Sequence, residues 1–228
     1  MDYFYSKNIL KKRIILDGQE MIHCVKVLRN KIGDSVFVVD GLGNLFYSKI
    51  IKILPNECHL KILKSETIQK KIKVHLVICP TKNHKRIEWM IEKIVEIGVE
   101  RISFIICKNS IRNNINLNRL NKIALSAMKQ TQNAFLPRID DCISFQEVFS
   151  IISSKEKYIA HLNNKNNAYL HSILKNQKSR CILIGPEGDF SNDEVFYALK
   201  NKFIEVSLGN SRLRTETSGL VSTTILNL

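Results

Sequence analysis

The chain has 228 residues, of which 44% are hydrophobic and 25% charged, a balance typical of globular domains and unlike that of disordered chains. No apolar run reaches the ~20 residues that a membrane helix needs, and the first residues lack the basic start and apolar core of a secretion signal. We therefore expect a cytoplasmic protein built of one large domain or two modest ones.

The surplus of basic side chains bears on the expected partner. With 35 basic and 21 acidic residues, the formal net charge is +14. Such a surplus favours nucleic acid, because neutralising phosphates releases their counterions. A genome that favours Lys, Asn and Ile codons would produce the same surplus, so the charge alone leaves the partner open.

A short helix is predicted near the start of the chain. Asp17 and Glu20 have the spacing of a capping box, and Met21, Val25 and Leu28 follow at helical spacing.

Strands are predicted next, with a hairpin turn at Gly41-Leu-Gly-Asn44. This G-x-G lacks the third glycine and the following helix of a dinucleotide-binding loop. A small barrel or sheet ending at about residue 72 fits this pattern. The predicted strands are 35–40, 45–54 and 57–65.

From residue 73 onward, strands alternate with helices, which predicts a parallel sheet covered on both faces. The predicted strands are 73–79, 101–107, 157–162, 181–185 and 204–209. The predicted helices are 85–98, 118–132, 144–152, 169–174, one that opens with a capping box at 191–194, and 217–226.

The cysteines are scattered, with no C-x-x-C pair, which indicates free thiols in a reducing compartment. Cys58 and His59 are adjacent in a strand-like segment and so point to opposite faces. We therefore predict neither disulfides nor a metal site. The cysteines are Cys24, Cys58, Cys79, Cys107, Cys142 and Cys181.

Two polar loops follow predicted strands, where ligands bind in parallel sheets. In Gly185–Phe190, two glycines permit close approach of a ligand to the backbone, Pro186 stiffens the turn and Glu187 supplies a carboxylate. In Leu208–Thr217, two arginines, an acid and three hydroxyls occupy ten residues. A plain turn and a solvated loop are the alternatives. Neither a nucleoside triphosphate loop nor a hydrolase elbow occurs.

Six segments resemble the ribosomal RNA small subunit methyltransferase E family, the 16S rRNA uracil-N3 methyltransferases of the SPOUT superfamily. The resemblance runs nearly end to end, and its two most specific segments coincide with the two loops. The segments are HCVKVLRNKIGD (23–34), PTK (80–82), EKIVEIGVERI (92–102), SAMKQTQNAFLP (126–137), IGPEGDFSNDE (184–194) and VSLGNSRLRTET (206–217).

The resemblance implies an α/β fold, in which a SPOUT-type parallel sheet with a C-terminal trefoil knot follows a small PUA-like β-barrel. It implies an RNA-binding barrel domain at 1–72 and a methyltransferase domain at 73–228, acting as a homodimer. The implied reaction transfers a methyl group from S-adenosylmethionine to N3 of uridine 1498 (standard numbering) in the 16S rRNA of the small ribosomal subunit.

The same resemblance implies which residues bind the cofactor. Two residues depart from the family pattern: Lys129 replaces an acidic residue, and Asn133 stands where Arg is frequent, at positions that bear on the dimer or RNA surface. The implied cofactor-binding residues are Pro80, Thr81, Leu183, Ile184, Gly185, Glu187, Gly188, Leu208, Gly209, Asn210, Leu213, Arg214, Thr215 and Thr217.

Methylation at uracil N3 needs a base, or a cation that stabilises the uracil anion, because N3 is a poor nucleophile until its proton leaves. Glu187, Glu216 and Arg214 are the candidate catalytic residues, since they are ionisable groups inside the two loops. Glu187 or Glu216 would remove the proton or position the base, and Arg214 would stabilise charge on O2 or O4. The alternative is an Arg214–Glu216 ion pair that holds the loop.

Near the start of the chain, His23, Lys26, Arg29 and Lys31 form a basic stretch that is a candidate for contacts with rRNA phosphates; an ordinary solvated face is the alternative. Two other functions stay open for the whole chain. One is a related knotted methyltransferase acting elsewhere in rRNA or tRNA, including at a ribose 2′-oxygen. The other is a non-catalytic RNA-binding assembly factor.

Overall fold

The computed structural model describes residues 3–162 and 168–228. These residues divide into two compact units. The first consists of the residues up to Lys70 together with Leu125–Leu136, and the second consists of the remainder. Among the described residues, no helix has the length and apolar character needed to cross a membrane.

The first unit is built on a curled sheet. Its strands are β1 (Tyr3–Tyr5), β2 (Ile9–Leu10), β3 (Arg13–Asp17), β4 (Ser35–Val39), β5 (Asn44–Ile53) and β6 (Glu57–Thr67). Their order is β1-β4-β5-β6-β3-β2, and every neighbouring pair is antiparallel except β1 with β4. The three predicted strands and the hairpin turn are confirmed, whereas β1, β2 and β3 were not predicted.

Alternate residues of these strands build the core of the first unit, because successive side chains of a strand point to opposite faces. Phe4, Ile14, Val38 and Leu60 are fully buried. In the turn after β4, the Asp40 carboxylate accepts the backbone N–H groups of Leu42 (2.7 Å) and Asn44 (3.1 Å). A side-chain carboxylate thus satisfies the turn that the glycines permit.

The predicted capping box at Asp17 is wrong, although a helix does begin there. Helix α1 (Gly18–Met21) continues as a π-helical segment (Ile22–Val27), and Asp17 makes no capping hydrogen bond. The Asp17 carboxylate instead accepts the side-chain amide of Asn8 (2.7 Å), and Glu20 accepts the backbone N–H of Tyr5 (3.0 Å). Tertiary partners have replaced the local ones.

The second unit contains a parallel sheet. Its strands are β7 (Lys73–Ile78), β8 (Arg101–Ile106), β9 (Arg138–Ser144), β10 (Glu156–Ala160), β11 (Ser179–Ile184) and β12 (Ile204–Val206). Their order is β12-β10-β11-β7-β8-β9, and every pair is parallel. The predicted parallel sheet is confirmed, and β9 is the strand that the pattern did not predict.

Four α-helices follow β7 in the described part of the chain: α2 (His84–Ile97), α3 (Leu117–Gln130), α4 (Asn192–Lys200) and α5 (Thr215–Leu226). The residues of α3 from Leu125 onward belong to the first unit. Gly98 ends α2 with a positive φ of 109°, and Ser191 and Glu194 form the predicted capping box of α4. The segments predicted as helices at 144–152 and 169–174 contain only short 3₁₀ turns, Glu147–Ile151 and Leu170–Ser172.

A buried polar chain crosses the middle of three strands of this sheet. Ser103 donates its hydroxyl proton to Asp140 (2.6 Å), which also accepts Nε–H of Arg101 (2.6 Å). Ser103 therefore accepts a hydrogen bond from Nε2 of His75 (2.8 Å), which makes this ring a neutral Nε2–H tautomer. Burial, followed by the positive charge of Arg101, lowers the pKa of His75 to about 4.

We expect this ring to make the second unit less stable in acid. Between about pH 6.5 and pH 4 the unfolded chain binds a proton at His75, whereas the folded chain does not. The part of the unfolding free energy that comes from the neutral ring is therefore fully present above pH 6.5 and is lost as the pH falls towards 4. The expected loss is roughly 2–3 kcal/mol. Urea unfolding followed by the fluorescence of Trp89, the single tryptophan, measures it across this pH range.

In His75→Gln the unfolding free energy should depend less steeply on pH over this window than in the wild type. The matched control is His171→Gln, because His171 is exposed to solvent. Equal pH dependence in His75→Gln and the wild type would contradict the assignment.

Candidate functional site

The carboxyl ends of β10, β11 and β12 meet at one edge of the parallel sheet. Strand β10 lies between the other two, with Ala160 paired to Ile184 on one side and to Val206 on the other. The loops that follow β11 and β12 therefore leave from the same edge, and they enclose a cleft of about 340 Å³. The cleft lies at the edge where the pattern predicted a ligand site.

The residues that line this cleft come mainly from the two predicted loops, with additions from α2 and the end of β10. They are Arg86, Ala160, His161, Leu162, Ile184, Gly185, Pro186, Glu187, Asp189, Val206, Ser207, Leu208, Gly209, Ser211, Arg212, Leu213, Arg214, Thr215, Glu216 and Ser218.

The first loop is held by its own side chains. A Cβ built on Gly185 would stand 3.1 Å from the ring of Phe190, so this glycine makes room for that ring. Asp189 adopts a positive φ of 63°, and its carboxylate accepts the backbone N–H groups of Leu162 (2.7 Å) and Phe190 (2.8 Å). Asn109 donates to the carbonyl oxygen of Asp189 (3.0 Å). The loop is thus ordered by contacts within the chain.

The second loop leads directly into α5. Arg214 is the N-cap residue of this helix, and the hydroxyl of Thr215 donates to the carbonyl oxygen of Gly185 (3.3 Å), which joins the two loops. Gly209 has a φ of 146°, a conformation that side chains rarely adopt. The helix N-terminus also supplies unpaired backbone N–H groups and a partial positive charge at the cleft.

Glu216 is buried in the first turn of α5, with its side chain only 8% exposed. Its partner is Arg86 of α2, whose Nε lies 3.5 Å from Oε1 of Glu216. The predicted alternative, an Arg214–Glu216 pair, is therefore wrong, because helix α2 brings a different arginine to the carboxylate. Arg214 is exposed and forms no ion pair with any residue in the described ranges.

Glu187 is exposed at the cleft. One of its oxygens, Oε1, accepts the backbone N–H of Lys82 at 3.1 Å. Arg212 Nη2 lies 3.5 Å from the carbonyl oxygen of Glu187, so a guanidinium from the second loop reaches the backbone of the first. The cleft therefore presents one exposed and one buried glutamate.

The structure brings most of the predicted ligand residues together but leaves some outside the cleft lining. Thr81 is buried, and its hydroxyl donates to the carbonyl oxygen of Asn83 (3.0 Å). Asn210 accepts the hydroxyl of Tyr169. The predicted residues that do not line the cleft are Pro80, Thr81, Leu183, Gly188, Asn210 and Thr217.

Sequence reasoning missed several lining residues. Arg86 lies on the amphipathic helix α2, and its position at the start of that helix was the only available signal. His161 follows β10, and its Nε2 lies 2.7 Å from Oε1 of Glu205. The sequence pattern placed His161 and Leu162 inside the predicted strand 157–162, whereas β10 ends at Ala160 and leaves both residues in the loop at the cleft.

The predicted basic stretch lies on the π-helical segment and the loop after it. Lys26, Arg29 and Lys31 are exposed, and none of them forms an ion pair within the described residues. His23 differs, because its ring is partly buried against Phe4 with a centroid distance of 5.7 Å. The four residues therefore do not form one uniformly exposed basic surface, because three of them are solvated cations and the His23 ring is partly buried.

The two departures from the family pattern have local explanations. Lys129 donates to Glu20 Oε1 at 2.5 Å, in an ion pair within the first unit. Asn133 Oδ1 accepts the backbone N–H of Phe135 (3.0 Å). Both side chains therefore have partners within this chain.

The cysteines are free thiols, as predicted. Cys58 is fully buried, whereas His59 meets Glu57 at 2.7 Å, so these neighbours do point to opposite faces. Within residues 3–162 and 168–228, no group of three or more His, Cys, Asp and Glu side chains could hold a metal ion.

Two family models match the chain. The model of the family described as "RNA methyltransferase domain" matches residues 68–227, and that described as "RNA methyltransferase PUA domain" matches residues 16–63. The SPOUT-type parallel sheet and the PUA-like sheet unit are confirmed, and the trefoil knot stays a prediction.

Solved structures share the fold. A crystal structure described as a "probable rRNA-methyltransferase" from Porphyromonas gingivalis is 38% identical, covering 98% of this chain and 95% of its own, with a TM-score of 0.89. A ribosomal RNA small subunit methyltransferase E from Neisseria gonorrhoeae, bound to S-adenosyl methionine, is 24% identical over 98% of this chain and 95% of its own, with a TM-score of 0.85.

Among relatives of known name, ribosomal RNA small subunit methyltransferase E of Buchnera aphidicola subsp. Acyrthosiphon pisum is 30% identical over 95% of this chain and 88% of its own length. The protein of the same name from Rickettsia conorii is 27% identical over 96% of this chain and 91% of its own length. The chain therefore belongs to the ribosomal RNA small subunit methyltransferase E family, with an RNA methyltransferase domain preceded by a PUA domain.

Proposed function

We propose that this protein transfers a methyl group from S-adenosylmethionine to N3 of uridine 1498 (standard numbering) in 16S rRNA. The observation that carries the proposal is the cleft between Gly185–Phe190 and Leu208–Thr217, the two most specific segments of the family resemblance. The relatives' names support an rRNA substrate in the small subunit. The N3 atom and the position in the rRNA are the finer part of the proposal.

The lining of the cleft fits this cofactor. Ile184, Val206 and Leu208 offer apolar surface to an adenosine, and backbone N–H and C=O groups of the two loops offer hydrogen bonds to its polar edge. Carboxylates suit the positive sulfonium and ammonium groups, and arginines suit the cofactor carboxylate. When bound, the cofactor supplies an electrophilic methyl group.

Within the predicted cofactor set, the members that line the cleft are the ones proposed to touch the cofactor directly. We assign the others to support behind it. The proposed direct contacts are Ile184, Gly185, Glu187, Leu208, Gly209, Leu213, Arg214 and Thr215.

Glu187 is proposed to accept the N3 proton of the uracil. Its carboxylate is exposed at the cleft, where a base turned out of the RNA can reach it, and only Oε1 is engaged, by the N–H of Lys82. Arg214 is proposed to stabilise the negative charge that then develops on O2 or O4. Its exposure and lack of an ion-pair partner among the described residues leave its guanidinium available.

Glu216 is proposed to position substrate groups rather than to take the proton. It is buried and faces Arg86, so its negative charge is compensated inside the chain. The pair would hold the first turn of α5 against α2, and with it the N–H groups at the end of the second loop. Arg86 thereby becomes part of the proposed site, as a positioning residue acting through Glu216.

We also propose that the two parts of the chain have separate roles: residues 1–72 bind RNA, and residues 73–228 carry out the methyl transfer. The family resemblance further supports a homodimer, which sedimentation equilibrium of the purified chain would test. Methylation at another rRNA or tRNA site, including a ribose 2′-oxygen, and non-catalytic RNA binding are the remaining alternatives.

Methyl transfer to small ribosomal subunits and to free 16S rRNA tests the proposed activity. The substrate RNA comes from cells that lack the enzyme, and the cofactor is radiolabelled. Reverse transcription and mass spectrometry then identify the modified nucleotide and atom. We expect one labelled product, 3-methyluridine at position 1498. Label in RNA that carries cytidine at this position would instead identify another site, and tight RNA binding without label would indicate an assembly factor.

The two carboxylates are expected to differ in single-turnover experiments at saturating cofactor. Glu187→Gln should lower the rate by about 10²-fold or more, because it removes the proton acceptor. Glu216→Gln should have the smaller effect on this rate. Glu92→Gln, a change of a half-exposed carboxylate on α2 that pairs with Lys93 outside the cleft, is the control. Near wild-type rates in both cleft variants would remove the carboxylate mechanism, and a larger loss in Glu216→Gln would move the proton acceptor to Glu216.

The basic stretch is expected to contribute to RNA affinity through charge alone. The double reversal Lys26→Glu and Arg29→Glu should weaken binding and reduce the slope of log affinity against log salt by about 0.7–0.9 for each phosphate that the protein no longer neutralises. Lys122→Glu with Lys200→Glu, two exposed residues of α3 and α4, changes the net charge equally and is the control. Unchanged affinity and slope in the first double variant would make the stretch ordinary solvated surface.

A further inference from the structure

Three aromatic side chains lie side by side across the outer face of the first unit's sheet. Tyr3 of β1 pairs with Phe37 of β4, and Phe37 pairs with Tyr47 of β5. Their ring centroids are 5.5 Å and 5.4 Å apart. Directly opposite residues of neighbouring strands share a face of the sheet. We call these three residues the aromatic row.

The aromatic row faces away from the core. Its chain neighbours Phe4, Val36, Val38 and Ser48 are buried, and side chains of a strand alternate between faces. The three rings themselves are partly exposed. An apolar surface of this kind is thus open to solvent on the sheet and available to planar ligands.

A row of cations crosses the same face next to the aromatic row. Lys49 of β5 pairs with Lys61 of β6, and Lys61 pairs with Arg13 of β3. All three are exposed, and none forms an ion pair with a described residue. We call these residues the cation row. Lys64, opposite Tyr47, adds a fourth exposed cation at the end of the aromatic row.

The cation row has no local explanation in the sheet. Like charges directly opposite each other on neighbouring strands destabilise a sheet, and Lys49 faces Lys61, which faces Arg13. Cross-strand packing would account for the aromatic row by itself, but it gives no reason for three adjacent uncompensated cations. A bound polyanion does, because it neutralises them on binding.

The two rows together match the chemistry of a single nucleic-acid strand. Aromatic faces stack unpaired bases with little regard to their identity, while neighbouring cations meet the phosphates. Bases inside an RNA helix are stacked on one another and cannot reach such rings. The acids near this face are paired or lie further out. Glu20, which lines a pocket with Tyr3, is paired with Lys129. Glu66 is at the far end of β6, and Asp17 and Glu57 already bond Asn8 and His59.

We propose that this face binds an unpaired stretch of the substrate RNA, with bases stacked on the aromatic row and phosphates against the cation row. The inference rests on the RNA substrate argued under the proposed function. It differs from the basic stretch at Lys26 and Arg29, which would contact phosphates of any RNA. This second surface distinguishes unpaired RNA from duplex and would select a substrate whose target region is open.

Fluorescence anisotropy with the full chain tests the proposal. The probes are a labelled single-stranded RNA of about 12 nucleotides with mixed sequence and an RNA duplex of the same length. Phe37→Leu and Tyr47→Leu should each weaken binding of the single strand by about tenfold and leave duplex binding unchanged, since each removes one base–aromatic stack. Phe196→Leu, an exposed ring next to Lys200 on α4, is the control and should bind both probes as the wild type does.

The charge part of the proposal has its own readout. Lys49→Gln with Lys61→Gln should reduce the salt slope for the single strand by about 1.4, the value for two phosphate contacts on a single strand. Tyr47→Trp keeps an aromatic face at the same place and should retain binding, which separates a missing stack from an unfolded sheet if a leucine variant melts early. Thermal unfolding of every variant completes the comparison.

Folded leucine variants that bind the single strand like the wild type would overturn the proposal. So would equal losses for single strand and duplex, because those would indicate a charge effect without stacking. Methyl transfer plays no part in these readouts. If the chain binds single strands through both rows but transfers no methyl group, the proposed function is contradicted and this inference is still supported.

Discussion

The burial of β11 between two parallel neighbours is the constraint on which the site depends. Every residue from Arg180 to Ile184 is buried, and β11 pairs in register with β10 on one side and β7 on the other. Parallel pairing sends the following loops out at one edge. The hydroxyl of Thr215 then joins the second loop to the carbonyl oxygen of Gly185. The cleft is the space that these backbone alignments leave.

Local sequence patterns were sufficient to predict the elements whose formation depends on nearby residues. The apolar run of β7, the glycine after α2 and the capping box at Ser191 are decided by nearby residues, so the sequence predicts them. Strand β9 was missed because Asp140 and Asp141 interrupt its apolar pattern at the sheet edge. Asp17 failed as a cap because its carboxylate met Asn8, a partner that no local rule includes.

The candidate site divides in the same way between local and distant causes. Polar residues after buried strands indicated both loops, but the partner of Glu216 lies on another helix, so only the fold could bring Arg86 to it. The structure also gives the glycines of the first loop a different role from the predicted one. Gly185 was expected to admit a ligand to the backbone, whereas in the structure it makes room for the ring of Phe190, and Gly188 does so for Asn109. These glycines shape the loop before any ligand arrives.

The net charge of +14 becomes informative only when paired and unpaired cations are separated. Lys129, the basic substitute for a family acid, is neutralised by Glu20 within the first unit, and Arg101 is neutralised by Asp140 inside the second. Such residues add to the formal charge but offer nothing to a polyanion. The exposed cations of β3, β5 and β6 have no such partners among the described residues, and they lie next to exposed rings. Charge that a fold leaves uncompensated beside apolar surface is therefore better evidence for a nucleic-acid partner than the sum over the chain.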